Sequence, residues 1–266
     1  MIKSITIDKS KCIHCGMCLR DCIVGCIQFD SDKIPEYVPN GENMCVGCQH
    51  CMAVCPVGAL SFGGKNPADS RPAGYDNSDE LLRLIQSRRS IRFYRDQEIP
   101  PETLAKLADM LAFPPKGGNV NALHFCIVST REKMREICEA TYRGLRSVET
   151  PTAKYLIDLH DKGTDFVFRN APAMITVSLD AKKAVPGCEN ADPIIALSYL
   201  DLYAQSLGVG TLWTDATLTA MKDLPEVLAM LKVPEGYSLN YVLLLGLPAV
   251  KYHRTTQPEP ANVTII

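Results

Sequence analysis

Long apolar runs, an excess of one charge and a secretion signal are all missing from this sequence of 266 residues. The longest apolar run, Tyr241–Val250, is shorter than the roughly 20 residues that cross a bilayer, and it contains Gly246 and Pro248. The net charge of −2 provides no basic surface for a nucleic acid or an anionic membrane. Residues 1–6 lack the apolar core of a signal peptide. We therefore expect a globular, cytoplasmic protein that binds neither nucleic acid nor membrane.

Cysteine, in contrast, is abundant, with 12 residues. Most of these thiols form two runs of identical spacing, C-x-x-C-x-x-C-x-x-x-C, that are offset by 45 − 12 = 33 residues. The first run is Cys12, Cys15, Cys18 and Cys22, and the second is Cys45, Cys48, Cys51 and Cys55. The remaining thiols are Cys26, Cys126, Cys138 and Cys188. So many thiols in a chain without a signal peptide are typical of a reducing compartment.

Zinc binding and disulfide bonding are two alternative explanations of this pattern. A structural zinc site pairs two short Cys or His spacings across a longer loop, whereas here four cysteines crowd each run. A disulfide framework requires a secreted chain. Three thiolates on one tight loop instead suit three irons of a cubane cluster, and the fourth iron then needs a sulfur from elsewhere.

Residues 1–64 resemble the two-cluster bacterial ferredoxins, in which the fourth cysteine of each run ligates the cluster of the other run. The resemblance implies two [4Fe-4S] clusters. One would be held by Cys12, Cys15, Cys18 and Cys55, and the other by Cys45, Cys48, Cys51 and Cys22. Ile23 stands where the second run has Pro56, which affects the turn after Cys22 and not the number of ligands. We interpret Cys26 as a small buried thiol rather than as a ligand.

A segment rich in Gly and Pro, residues 65–77, predicts a linker between this module and a second domain, residues 78–266. In the module, a strand at 5–8 is expected to pair with or near a strand at 27–29. In the second domain, helices separate a few apolar strands, which predicts an α+β fold. A Rossmann domain is rejected, because Gly208-Val-Gly210 follows a helix and lacks the third glycine of the fingerprint.

The elements predicted for the second domain follow from apolar periodicity and from helix-start signals. The predicted strands are 124–128, 173–179 and 241–245. The predicted helices are one opened by Asn77 and Glu80, one from Pro101 towards Pro114, a short one after Thr130, and helices at 151–162, 193–207 and 218–231, the last interrupted at Pro225.

Two basic clusters are the first candidates for a cofactor site in the second domain. Arg88, Arg89, Ser90 and Arg92 place guanidiniums and a hydroxyl close together, and Lys251 and Arg254 follow a predicted strand. A basic helix end can simply complement the helix dipole, and either cluster could be ordinary solvated charge. The alternative is a phosphate site, because Arg binds phosphate oxygens in pairs.

Residues 78–266 resemble the nitroreductase family, which binds FMN at a homodimer interface. The similarity lies in the segments 88–92, 115–124, 208–214 and 246–254. It implies that the first and last segments hold the FMN phosphate and that the other two lie beside the flavin ring. The residues implied to bind FMN are Arg88, Arg89, Ser90, Arg92, Pro115, Lys116, Gly117, Asn119, Asn121, Leu212, Trp213, Thr214, Lys251 and Arg254. No His or carboxylate stands out as a catalytic acid.

The segment 115–124 departs from the family pattern. Lys116 stands at the usual Ser or Thr, Asn121 at the usual Gln, and Ala122-Leu123 at the usual Pro-Trp. Since this loop walls the substrate side of the flavin in the family, these changes concern substrate preference more than FMN binding.

The two resemblances together suggest a redox function. A flavin handles two electrons and each cubane carries one, so the chain is suited to collecting single electrons and accumulating a pair. The leading hypothesis is an FMN-dependent reductase of a small electron-poor organic substrate, such as a nitroaromatic compound, with a redox protein left open as the electron donor. The alternatives are a flavin-using dehydrogenase or dehalogenase-like enzyme that delivers electrons to the clusters, and a pure electron-transfer protein.

The tail, residues 255–266, ends in the β-favouring sequence Val-Thr-Ile-Ile, and Pro258 and Pro260 oppose a local hairpin. A strand without a local partner frays, is covered, or pairs with the edge of another sheet. In the nitroreductase family, C-terminal arms embrace the partner subunit. We therefore expect an obligate homodimer with two flavins, each walled by both chains.

Overall fold

The structure is a computed structural model that describes residues 4–45, 47–70, 72, 79–117 and 120–266. The chain forms two compact units. The first contains the residues through Arg89 together with Val250–Ile266, and the second is Ser90–Ala249. The chain therefore leaves the first unit and later returns to it. The domain limits drawn from the linker composition, at residues 64 and 78, stay predictions.

The first unit contains short strands in two antiparallel pairs. They are β1 (Ile5–Ile7), β2 (Ile27–Phe29), β3 (Pro35–Tyr37) and β4 (Leu60–Phe62). Because β1 pairs with β4 and β2 pairs with β3, the expected pairing of β1 with or near β2 is wrong. The reason is a local turn: Asp30 Oδ1 accepts hydrogen bonds from the backbone of Asp32 and Ile34, both at 2.8 Å, which folds β3 back onto β2.

The helices of the first unit are short, and the first three lie within or beside the cysteine runs. They are α1 (Met17–Arg20), α2 (Gly41–Met44), α3 (His50–Val54), a 3-10 turn at Pro67–Asp69, and α4 (Glu80–Ser87). The buried core around them includes Met52, Leu60 and Phe62 together with cysteines of both runs. Asn77, the predicted cap of α4, lies outside the described residues.

The second unit is built on one four-stranded antiparallel sheet with the strand order β5-β6-β8-β7. The strands are β5 (Leu123–Val128), β6 (Ala173–Leu179), β7 (Gly210–Trp213) and β8 (Ser238–Gly246). The three predicted strands are confirmed. β8 begins earlier than predicted, and β7 was not predicted as a strand.

Helices of the second unit follow the predicted segments closely. They are α5 (Pro101–Met110), α6 (Arg131–Leu145), α7 (Pro151–Asp161), α8 (Ala191–Ser206), α9 (Asp215–Met221) and α10 (Pro225–Met230). Thr130, Thr150 and Thr214 cap α6, α7 and α9, because each hydroxyl accepts a hydrogen bond of 3.2 Å from the backbone N–H three residues on. The helix after Thr130 has 15 residues and is not short, since its buried positions recur along the whole segment.

The central strands bury both of their faces. Met174 and Leu244 point into one apolar cluster, which also contains side chains of α6, α7, α9 and α10. Ile175 and Leu243 point into the other, which contains side chains of α5 and α8. This alternation is the period-2 pattern of a sheet covered on both sides, and it explains why the sequence of β6 is apolar almost throughout.

None of the described helices combines the length and the apolar character that a membrane crossing requires.

Candidate redox sites

One cavity of the first unit is lined by four cysteine side chains drawn from both cysteine runs. These are Cys12, Cys15 and Cys18 of the first run and Cys55 of the second. Ile7 and Leu60 also line the cavity. The structure thus brings together the crossed set that the spacing predicts for one cluster.

A second cavity is lined by the complementary set, Cys22 of the first run with Cys45, Cys48 and Cys51 of the second. Cys26 lines the same cavity, is buried as predicted, and places its Sγ 3.4 Å from Cys22 Sγ. It is therefore a neighbour of the predicted ligands.

The acid–base behaviour of these thiols fits a metal cluster. Burial, followed by the neighbouring Cys55 and Cys15, raises the pKa of Cys18 to about 12. Burial, followed by the neighbouring Cys48, raises the pKa of Cys51 well above its usual value. Thiolates crowded in this way need compensating positive charge, which iron supplies. Both donor sets therefore fit a [4Fe-4S] cluster, and the individual ligands stay a prediction.

Residues 250–257, which we call the C-terminal strap, contact both cysteine runs through Tyr252. Its hydroxyl donates to the Asp21 carboxylate, lying 2.8 and 2.9 Å from the two oxygens. Asp21 is buried and lies 3.1 Å from Nδ1 of His50, and the rings of Tyr252 and His50 meet edge to face. One strap side chain thus connects the residue before Cys22 with the residue before Cys51.

Gln257 anchors the end of the strap. Its backbone N–H donates to Oε1 of Gln49 at 2.6 Å, and its side-chain amide donates to Ser70 Oγ at 2.9 Å. Lys65 donates to the Gln257 carbonyl and forms an ion pair with Glu259. Side chains of the first unit thus satisfy both backbone hydrogen-bonding groups of Gln257. The expected strand without a local partner lies further on, at residues 263–266, and stays a prediction. Val263, Ile265 and Ile266 are exposed.

Arg254, an implied FMN ligand, is held by the second cysteine run. Its Nη1 donates to the Cys55 carbonyl at 2.6 Å. Gly58 has a left-handed backbone (φ +61°), and a Cβ there would lie 2.6 Å from Arg254 Nη2. The side chain therefore fits against a backbone that only glycine leaves open.

Arg89, also in the first unit, is a buried cation that is 7% exposed. It donates to the Arg88 carbonyl at 2.5 Å and to the Thr256 hydroxyl at 2.9 Å. Burial and the nearby Arg88 lower the pKa of Arg89 to about 10, while Tyr252 and Cys48 oppose that shift. It therefore stays protonated at neutral pH. Lys251 is exposed.

In the second unit, two of the implied flavin segments lie side by side. Ser90 forms a parallel bridge with Thr211, and the Ile91 N–H donates to the Thr211 carbonyl at 2.8 Å. A Cβ on Gly210 would lie 2.5 Å from Ile91, so glycine permits this close approach. Ser90 and Arg92 are thereby placed beside β7, which carries Leu212 and Trp213 and leads into Thr214.

A buried carboxylate that sequence reasoning missed holds β7 in place. Asp201, on α8, is 5% exposed and accepts hydrogen bonds from the Thr211 hydroxyl and, at 3.2 Å, from Trp213 Nε1. The sequence feature that could have revealed Asp201 is an acidic residue inside a strongly apolar helix, because a buried charge requires hydrogen-bonding partners.

A second buried carboxylate on α8, Asp192, holds the implied flavin loop. Both of its oxygens accept from the Gly117 N–H, at 2.9 and 3.0 Å. A Cβ at Gly117 would lie 2.6 Å from Cys188 Sγ, so this loop also needs glycine. Pro115 and Asn121 are exposed and Lys116 is partly buried. Asn119 lies outside the described residues.

Comparison with known proteins shows a match between residues 85–247 and the family model described as the nitroreductase family. The chain belongs to the nitroreductase family. It is therefore an oxidoreductase, and the resemblance drawn from its sequence is confirmed. Residues 5–62 match the model of a 4Fe-4S dicluster domain, which confirms the second resemblance.

Two curated relatives are similar to the nitroreductase part. Both are predicted NADH dehydrogenases/NAD(P)H nitroreductases, one from Methanothermobacter thermautotrophicus and one from Archaeoglobus fulgidus. The first is 30% identical over 64% of this chain and 78% of the relative. The second is 29% identical over 64% of this chain and 86% of the relative.

Among solved structures, a Bacteroides fragilis nitroreductase with bound FMN superposes with a TM-score of 0.61 and 25% identity. The match covers 71% of this chain and 100% of that structure. The predicted α+β class, with a ferredoxin-like N-terminal domain before a nitroreductase-like domain, is therefore confirmed.

Two cysteines of the nitroreductase unit are poor candidates for redox chemistry. Burial, followed by Asp165, raises the pKa of Cys138 to about 12. Burial also raises the pKa of Cys126. Both thiols are therefore neutral at physiological pH, and a neutral thiol is a weak nucleophile.

The variant Asp201→Asn should weaken the flavin-facing edge of the nitroreductase unit. The amide has a single acceptor oxygen and turns an N–H₂ group towards Thr211 or Trp213, leaving a buried donor without its partner. We expect a loss of about 1–3 kcal/mol in the free energy of unfolding and weaker FMN binding. Denaturant unfolding and flavin titration measure the two effects.

Asp109→Asn is the matched control, because Asp109 is exposed on α5 and the same charge is removed. Equal losses in both variants would show that net charge, and not the bonds to β7, is responsible.

Proposed function

We propose that this protein is an FMN-dependent reductase that receives single electrons through two [4Fe-4S] clusters and passes them in pairs to a small, electron-poor organic substrate. The observation that carries the proposal is the pair of four-cysteine cavities in the same chain as a nitroreductase unit. Bound FMN in the similar Bacteroides fragilis nitroreductase supports the choice of flavin.

The cofactors would supply the electron chemistry, one electron at each cluster and two at the flavin. The residues of the chain bind and orient them. Ser90 and Arg92 offer a hydroxyl and a guanidinium for the FMN phosphate beside β7. Asp201 fixes Trp213, and Asp192 fixes the loop that contains Lys116, which we place on the substrate side of the ring.

Single-turnover kinetics of the purified chain, reconstituted anaerobically with iron, sulfide and FMN, test the proposal. The protein is first reduced with a stoichiometric amount of dithionite and then mixed with a nitroaromatic compound. We expect the absorbance of the oxidised flavin and of the oxidised clusters to return together. One nitroso product should form for every two electrons and two protons consumed. If no nitroaromatic compound and no other small organic acceptor reoxidises the reduced protein, only a role in electron transfer remains.

Electron flow in the opposite direction is the second candidate, and the names of the relatives from Methanothermobacter and Archaeoglobus favour it. In this case NADH or NADPH would reduce the flavin and the clusters would carry electrons outward. Mixing the oxidised protein with NADH, and in a separate experiment with NADPH, separates the two directions. Rapid bleaching of the cluster absorbance supports outward flow, and a lack of any bleaching excludes it.

We further propose that the protein is an obligate cytoplasmic homodimer in which both chains wall each flavin. The apolar side chains of Val263, Ile265 and Ile266 support the proposal, because in one chain they are 69%, 93% and 118% exposed. Ile194 and Tyr199 of α8 are also exposed apolar side chains.

Removal of residues 260–266 tests the role of these side chains, because the truncation leaves every hydrogen bond of the strap in place. We expect a weaker dimer and a parallel loss of FMN. Light scattering at several protein concentrations and flavin content measure both. A truncated chain that remains dimeric and flavin-loaded on dilution would show that the tail has no part in assembly. Removal of residues 255–266 should in addition lower the iron content, because it deletes Gln257.

A further inference from the structure

We propose that Arg254 is a positioning residue for the iron–sulfur cluster in the cavity of Cys12, Cys15, Cys18 and Cys55, and that its charge raises the reduction potential of that cluster. The inference rests on the clusters of the proposed function and not on the flavin reaction. It assigns to the C-terminal strap a role that the resemblance to nitroreductases does not give it.

The position of Arg254 is fixed from several sides. Its Nη1 binds the carbonyl of Cys55, the residue that crosses from the second run into this cavity. Gly58 leaves the space that the guanidinium fills. The preceding strap residue, His253, donates its backbone N–H to the Ala53 carbonyl at 3.1 Å. The loop that carries Cys55 is thus held at Ala53, at Cys55 itself and at Gly58.

Arg254 brings a positively charged guanidinium to the loop that carries Cys55. Within the residues that the structure describes, no carboxylate forms an ion pair with Arg254. Lys65, which also contacts the strap, is in contrast paired with Glu259. A one-electron reduction makes a cluster one charge more negative. An adjacent cation therefore stabilises the reduced form more than the oxidised form, and local charge and hydrogen bonding are known to set cluster potentials.

The variant Arg254→Gln tests the inference, with the variant Arg254→Lys beside it. Dithionite titration of the reconstituted protein, followed by EPR without any substrate, gives the midpoint potential of each cluster. In Arg254→Gln we expect one of the two midpoints to become more negative while the other stays unchanged. Arg254→Lys keeps the charge, so its midpoints should lie close to those of the wild type.

The matched control is Lys65→Gln, which removes one positive charge and one strap contact from the same unit but no bond to a cysteine. Its two midpoints should equal those of the wild type. If Arg254→Gln fails to retain the cluster while Arg254→Lys retains it, the positioning role is supported by the iron and sulfide contents alone. Wild-type midpoints in Arg254→Gln would overturn the inference.

A parallel titration with FMN and riboflavin distinguishes this role from the phosphate role that the family resemblance implies. If Arg254 acts only on a phosphate, Arg254→Gln weakens FMN, leaves riboflavin affinity unchanged and leaves both midpoints in place, which contradicts the inference. A wild-type protein that binds no cluster at all would instead refute the proposed function itself.

Discussion

Replacing Cys15 with alanine should remove about half of the iron and acid-labile sulfide from the reconstituted protein. The wild type should hold about eight of each per chain, because each cubane contains four irons and four sulfides. Cys15 lines the first cavity and Cys48 the second, so Cys48→Ala should remove the other half. Iron and sulfide analysis counts the loss, and EPR of the reduced proteins should show two different residual signals.

Cys126→Ala is the control for these variants, since Cys126 lies in β5 of the other unit and should leave both clusters intact. The result that would contradict the assignment is a wild-type chain that holds zinc and no sulfide. An identical residual EPR signal in Cys15→Ala and Cys48→Ala would contradict the assignment of these two cysteines to different clusters.

The variant Arg92→Ala should weaken FMN binding by roughly tenfold to a hundredfold. A charge-assisted hydrogen bond contributes about 1.5–3 kcal/mol, and every 1.4 kcal/mol changes an affinity about tenfold. Arg92 is partly buried and follows Ser90, whose backbone bridges β7. Titration of the apoprotein, followed by flavin fluorescence, measures the change in affinity.

Riboflavin provides an internal control for this prediction, because it lacks the phosphate and should bind both proteins alike. Arg95→Ala provides the matched variant: Arg95 is exposed, and its Nε donates to the Pro248 carbonyl at 3.0 Å. Equal losses of FMN and riboflavin affinity in Arg92→Ala would indicate a disturbed fold and not a lost phosphate contact.

The division of the cysteines into two sets of ligands could be predicted from sequence, because the spacing of ligands along the chain limits how their sulfurs can be arranged. Two residues between successive thiols turn the first three sulfurs of a run towards one point, and the fourth cysteine then has to cross to the other run. The strands of the sheet were also predictable, since Ala173–Leu179 is apolar almost throughout and is buried on both faces. These features depend on local sequence, and local sequence was sufficient.

Contacts between distant segments were not predictable in the same way. Nothing in the sequence near Asp192 or Asp201 indicates that one carboxylate meets Gly117 and the other Trp213. The strand β7 has only four residues, too few for a periodic signal, and it exists because β8 and Ile91 lie on either side of it. Arg254 was interpreted from its family position alone, and its bond to Cys55 spans 199 positions of sequence.

The return of the chain to its first unit has a consequence for biosynthesis. The ribosome makes both cysteine runs early, but it makes the strap only after Ser90–Ala249. At ordinary translation rates this delay is on the order of ten seconds. During that time the nascent cysteine runs lack Tyr252, Arg254 and Gln257, which hold the loops around both cavities. Stable insertion of the clusters is therefore expected only once the strap has emerged from the ribosome.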